Sequence, residues 1–180
     1  ATDVAKYPRF DTYVNRLSMP DIVPGADFRG GLTVRGAELQ GKGTEAEPAE
    51  LDFRREDTVL VKCKANLFIL KAQRFGGQGV EAVVQLGEDS IYHPELNLRF
   101  NLANQRLYLV RTDEGLGPRP FSDSYHKVSL DCAVLSWKMN ENRLRLEGPL
   151  GSSRSTAVLF SEDFFAEDVF RDMQGIDPIH

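Results

Sequence analysis

Two histidines stand in matching surroundings, Asp89-Ser90-Ile91-Tyr92-His93-Pro94 and Asp123-Ser124-Tyr125-His126, each an Asp-Ser pair followed by Tyr-His. Imidazole and carboxylate together suit zinc and similar ions, so Asp89, His93, Asp123 and His126 form the candidate metal set. No short His-x-His spacing fixes them. The plainer reading is that Asp and Ser close backbone hydrogen bonds where a strand begins, while Tyr and His fill a half-buried corner. Ser90, His93 and Asp123 also make a nucleophile, base and orienter on paper, but nothing nearby resembles a nucleophile elbow. The adjacent carboxylates Glu56-Asp57, Glu88-Asp89 and Glu162-Asp163 read as solvated turn and helix-start charges. Glycosidase chemistry needs two carboxyls held apart across a cleft, which adjacency does not supply. Tyr92, Tyr125 and Trp137 are the candidate rings for a ligand platform. Trp137 alternates with Leu135 and Met139, which points it to the core. On these residues the chain is expected to be no enzyme and to need no cofactor, with a metal-dependent hydrolase as the alternative.

The elements that must position these residues are strands. Apolar and polar residues alternate at period 2 in Leu32-Thr33-Val34-Arg35, Leu51-Asp52-Phe53-Arg54, Leu96-Asn97-Leu98-Arg99-Phe100 and Leu144-Arg145-Leu146-Glu147, the pattern of half-buried strands. Leu67-Phe68-Ile69-Leu70 and Ala133-Val134-Leu135 are continuous apolar runs that suit strands buried on both faces. About a dozen such segments predict an all-β fold. The exception begins at Ser161. Phe165, Val169 and Met173 repeat every four residues, Ser161 caps, Glu162 and Asp163 fill the first turn, and Gly175 and Pro178 end the run, so one C-terminal helix is expected over 161–175.

Asp57-Thr58, Asp89-Ser90 and Asp123-Ser124 recur at intervals of 32 and 34 residues. Such a period is what stacked supersecondary units produce. Strands also abut without evident hairpin residues at Gly36/Ala37, Ala65/Asn66 and Cys132/Ala133. Together these features predict a stacked, elongated β-solenoid or β-roll-like architecture, with an antiparallel β-sandwich or jelly roll as the alternative. Residues 1–24, with Tyr7-Pro8, Met19-Pro20 and Val23-Pro24, read as an extended segment that lies along the body or pairs with its edge. Residues 25–160 form the β body of a single domain that includes the helix. Gly43 to Ala49 and Asp113 to Ser124 are expected loops.

Composition narrows the class. The 180 residues are 41% apolar and 27% charged with a net charge of −5; this permits one globular domain with a real core. A net negative charge argues against nucleic acid as a partner, and no apolar run reaches the ~20 residues of a membrane helix. Cys63 and Cys132 lie in the stripes Val59-Val61-Cys63 and Val128-Leu130-Cys132, which predicts buried free thiols, with a single bridge as the alternative. Lys62, Lys64, Lys71 and Arg74, with Arg99, Arg106 and Arg111, read as solvated strand faces that guard against strange pairing. The glycines between Gly25 and Gly43 flank strands and serve turns and bulges, not a phosphate loop. Ala1 without an initiator Met reads as the start of a processed chain or of a piece of a longer protein.

Asp89 to Pro94, Pro120-Phe121-Ser122-Asp123-Ser124-Tyr125-His126 and Leu135-Ser136-Trp137 resemble internal segments of large, β-rich Bacteroidota proteins of no assigned activity. That resemblance implies a section of a long, exported or envelope-associated protein, and it carries over no catalytic residue. The expected role is a non-enzymatic structural or interaction module whose partners are other protein segments or envelope components. The alternative is a β domain that binds carbohydrate or another ligand.

Overall fold

The computed structural model describes residues 9–12, 16–112, 119–124, 126–141, 143–148 and 158–161. Among the described residues fifteen strands join in one sheet: β1 (Arg9–Asp11), β2 (Leu17–Val23), β3 (Ala26–Arg35), β4 (Glu38–Lys42), β5 (Ala49–Arg55), β6 (Thr58–Ala65), β7 (Leu67–Lys71), β8 (Arg74–Leu86), β9 (Asp89–Asn101), β10 (Arg106–Arg111), β11 (Phe121–Asp123), β12 (Val128–Asp131), β13 (Val134–Lys138), β14 (Leu144–Glu147) and β15 (Val158–Ser161). Every pairing is antiparallel. The all-β expectation holds, and the solenoid does not. Among the described residues no helix is long and apolar enough to cross a membrane. The helix expected over 161–175 falls outside the described residues, apart from Ser161, which ends β15.

The registers reveal a simpler plan. β4 and β5 follow one another along the same edge of β3, at Gly31 to Arg35 and Ala26 to Arg29. β6 and β7 likewise share one edge of β8, β10 and β11 one edge of β9, and β14 and β15 flank β13 and β12. The chain is therefore an up-and-down meander of long strands, most of them broken once. Two-residue turns join them where Val23 opposes Ala26, Arg35 opposes Glu38, Arg55 opposes Thr58, Lys71 opposes Arg74 and Leu86 opposes Asp89. Gly36 (φ 59°) and Gly87 (φ 77°) supply the left-handed backbone that two of these turns require. An up-strand, a down-strand and two turns amount to the interval that separates Asp57 from Asp89, so the apparent solenoid period is the length of one hairpin.

The breaks lie at one level across the sheet and form a crease. Gly43 N–H donates to the Asn66 carbonyl at 3.0 Å and Arg111 N–H to the Ala133 carbonyl at 2.8 Å, each linking the break in one strand to the break in the next. In β8 the register slips between Gly77 and Val80, and in β9 opposite it across Pro94-Glu95. Bulges of this kind bend strands and raise their twist. The loop expected from Gly43 to Ala49 is the insertion at one such break, ending where β5 begins at Ala49, and Ala65/Asn66 and Cys132/Ala133 are breaks rather than corners of a coil.

The sheet folds over along the crease and encloses its own core. Phe53 on β5 and Phe100 on β9 are separated by β6 and β8, and three strand steps in a flat sheet amount to roughly 14 Å. Their ring centroids lie 4.9 Å apart. At the far side, a methyl group built on Gly25 beside β3 would come within 3.1 Å of Met139 Cε beyond β13. Phe28, Leu51, Phe53, Val61, Phe68, Leu96, Leu98, Leu107, Leu109 and Leu135 fill the space between the halves, all essentially inaccessible. β1 and β2 pair with β3, which gives the expected edge pairing of the N-terminal segment a definite partner; residues 1–8 lie outside the described set.

Candidate functional site

His93 sits on β9 immediately before the Pro94-Glu95 bulge and points inward, only 2% exposed. A bulge frees backbone groups from the ladder, and buried polar groups need partners. The imidazole supplies two. Glu95 N–H donates to His93 Nδ1 at 3.0 Å, so Nδ1 carries no proton. Nε2 must then bear the hydrogen, and it donates to the Arg119 carbonyl at 3.0 Å. The ring also lies against Phe121, with centroids 4.8 Å apart. Burial holds the His93 pKa below its ordinary 6.5, with the Arg111 and Arg119 cations acting in the same direction. The result is a neutral imidazole with both nitrogens engaged, bridging the bulge of β9 to the backbone just before β11.

The two Asp-Ser segments do meet, because β11 pairs with the start of β9. Ser124 N–H donates to the Ser90 carbonyl at 3.0 Å, Ser90 N–H donates to Ser124 Oγ at 2.9 Å, and Ser124 Oγ–H reaches Asp89 Oδ1 at 3.3 Å. Asp123 is buried at 5% exposure, and its Oδ2 lies 2.8 Å from His126 Nδ1 on a largely exposed imidazole. Thus Asp89 joins Ser124, Asp123 joins His126, and His93 joins neither pair. Among the described residues no three His, Cys, Asp or Glu side chains converge on a point that could hold a metal. Ser90, His93 and Asp123 likewise do not assemble, since the hydrogen bonds of His93 run to backbone groups.

Of the candidate rings, the described ones do not share a surface. Tyr92 is 39% exposed, Tyr125 lies outside the described residues, and Trp137 is core: it is 4% exposed and its Nε1–H donates to the Glu141 carbonyl at 2.9 Å. Both cysteines are buried and free. Burial pushes the Cys63 thiol well up, and the Cys132 thiol up to about 11, so neither is a ready thiolate at neutral pH.

Arg111 departs from the expected solvated face. Its side chain is buried and pairs with Asp131 across the crease, with Nε left without a partner. The signal for this burial is its parity, because Leu107, Leu109 and Arg111 fall on the same side of β10, and the first two are core. Paired to Asp131 beside the break, Arg111 ties β10 to β12. No family model matches the chain, and no curated protein or solved structure is significantly similar to it.

Proposed function

We propose that the chain is a non-enzymatic structural or interaction module, one β-rich section of a longer protein. The observation that carries this reading is the engagement of His93, the best-buried candidate for chemistry, between the Glu95 N–H and the Arg119 carbonyl. A general base or metal ligand needs a free lone pair, and here the lone pair on Nδ1 accepts a backbone proton. His93 thereby ties the β9 bulge at the crease to the backbone before β11. The resemblance to internal segments of large Bacteroidota proteins supports an exported or envelope setting.

Thermal denaturation with Zn²⁺, Mn²⁺, Ca²⁺ or a chelator tests this reading. Anything that binds the folded state alone must raise Tm. The module reading predicts an unchanged Tm in all four. A rise with Zn²⁺ that disappears in His93→Gln or His126→Ala would overturn it.

A further inference from the structure

The end of the sheet that carries the turns at 36–37, 72–73 and 102–105 bears a lateral row of cations. Arg35 opposes Glu38, Lys71 opposes Arg74, Arg74 opposes Asn101, and Arg106 opposes both Asn101 and Lys138. Lys71 Nζ reaches Glu38 Oε2 at 3.2 Å and closes the gap between the first two pairs. Residues directly opposed in a sheet share a face, so this row crosses β3, β4, β7, β8, β9, β10 and β13 on one face. It is the outward face, since the next residues in, Leu70, Phe75, Phe100, Leu107 and Trp137, are core.

Two features make the row unusual for a strand surface. Lys71 faces Arg74 and Arg106 faces Lys138, and like charges directly opposed destabilise a sheet. Lys71 is paired with Glu38 and Lys138 with Glu141, whereas Arg35, Arg74 and Arg106 have no ion-pair partner among the described residues. Around the turns the row borders an open depression of about 710 Å³, lined by Arg35, Lys71, Arg74, Gln73 and Asn101 together with the single carboxylate Glu38, which Lys71 neutralises. A chain of net charge −5 has gathered five cations, Arg35, Lys71, Arg74, Arg106 and Lys138, along one end, against the two carboxylates Glu38 and Glu141.

We infer that this row is a binding strip for an acidic polysaccharide, a carboxylate-bearing glycan chain lying across the strands; the inference rests on the module reading above and gives it a partner. From Arg35 to Arg106 is five strand steps, an arc of roughly 24 Å. One small anion cannot reach all three free guanidiniums, whereas a polymer with a carboxylate on successive sugars can. Guanidinium forks match carboxylates in two-point geometry. The amides of Gln73 and Asn101, between and beside the arginines, suit sugar hydroxyls. The row itself contains no aromatic ring on which a base could stack.

The test uses polygalacturonate as probe, with dextran as the neutral polymer, a thymidine 20-mer and phosphatidylglycerol vesicles as other polyanions, titrated at 50 and 200 mM NaCl. Polygalacturonate is expected to bind more tightly than the other three, and more weakly at the higher salt. Arg35→Gln/Arg74→Gln/Arg106→Gln is expected to lose about tenfold or more in affinity at unchanged Tm, as surface charge pairs allow. Lys62→Gln/Lys64→Gln, away from the row, is expected to bind as the wild type does. Binding no tighter than dextran, equal or tighter binding of the oligonucleotide or vesicles, or full affinity in the triple variant would each overturn the strip while leaving the module reading standing. Release of reducing ends from polygalacturonate would instead overturn the module reading, so the two failures are distinguishable.

Discussion

Replacing His93 with alanine removes three things at once from the crease. The Glu95 N–H loses its acceptor and the Arg119 carbonyl loses its donor. Phe121, itself buried, loses the ring against its face. Both backbone groups belong to residues near the surface, so water can rescue them in part and about 1 kcal/mol each is the appropriate scale. Truncating a buried ring to a methyl group adds about 1–2 kcal/mol after local collapse. The sum is about 3–4 kcal/mol, and for a chain of this size each kcal/mol moves Tm by about 2–4 °C. His93→Ala is therefore expected to lower Tm by about 6–16 °C in calorimetry or circular dichroism. His93→Phe restores volume without the hydrogen bonds and should recover about a third of that loss. A His93→Ala protein within about 2 °C of the wild type would refute the reasoning, because the crease would then not depend on the imidazole.

Other expectations follow from the same geometry. The buried, neutral His93 has a folded pKa below its unfolded value of 6.5. The unfolded chain therefore takes up the proton first as pH falls; the His93 contribution is complete above about pH 6.5 and is lost as pH drops through the folded pKa. Tm measured from pH 7.5 down to 5 should fall more steeply in the wild type than in His93→Phe, and parallel curves would contradict this. Gly41→Ala would bring a methyl group to 2.4 Å from Phe28 Cε2, and overpacking of this kind costs about 1–3 kcal/mol, readable as a lower midpoint in urea. Cys63 and Cys132 should resist an aromatic disulfide reagent in the native protein and both react once it is unfolded; rapid native labelling would contradict their burial.

Much of the strand content was legible because alternation is a local property. The crease was written in the same code, as changes of parity. Ile91 and His93 are core at odd positions, while Leu96, Leu98 and Phe100 are core at even ones; Val61, Cys63 and Ala65 give way in the same manner to Phe68 and Leu70. Such shifts look like strands that abut at corners, which favoured a coil. Only the registers distinguish a corner from a bulge within a strand that continues. The repeat of Asp57, Asp89 and Asp123 misled for a related reason, since hairpins of equal length produce a period just as stacked coils do. At the candidate site, the core position of Trp137 was legible from its alternation with Leu135 and Met139, whereas the Asp-Ser segments meet through the pairing of β11 with β9 and not through the stacking that their likeness suggested. That His93 serves the backbone was not legible, because its partners are a bulge and a loop carbonyl, neither of which leaves a mark in residue type.

The ring of His93 offers the most direct measurement. Long-range ¹H–¹⁵N correlation spectra of the imidazoles, recorded from pH 7.5 to 5 with and without Zn²⁺, report which nitrogen carries the proton and whether either gains a ligand. The predicted result is a His93 protonated at Nε2 and bare at Nδ1, less than half charged at pH 6.5 where an ordinary histidine is half charged, and unmoved by Zn²⁺. A His93 that titrates at or above 6.5, or whose nitrogen shifts follow added Zn²⁺ to saturation, would contradict the structural role and return the residue to chemistry.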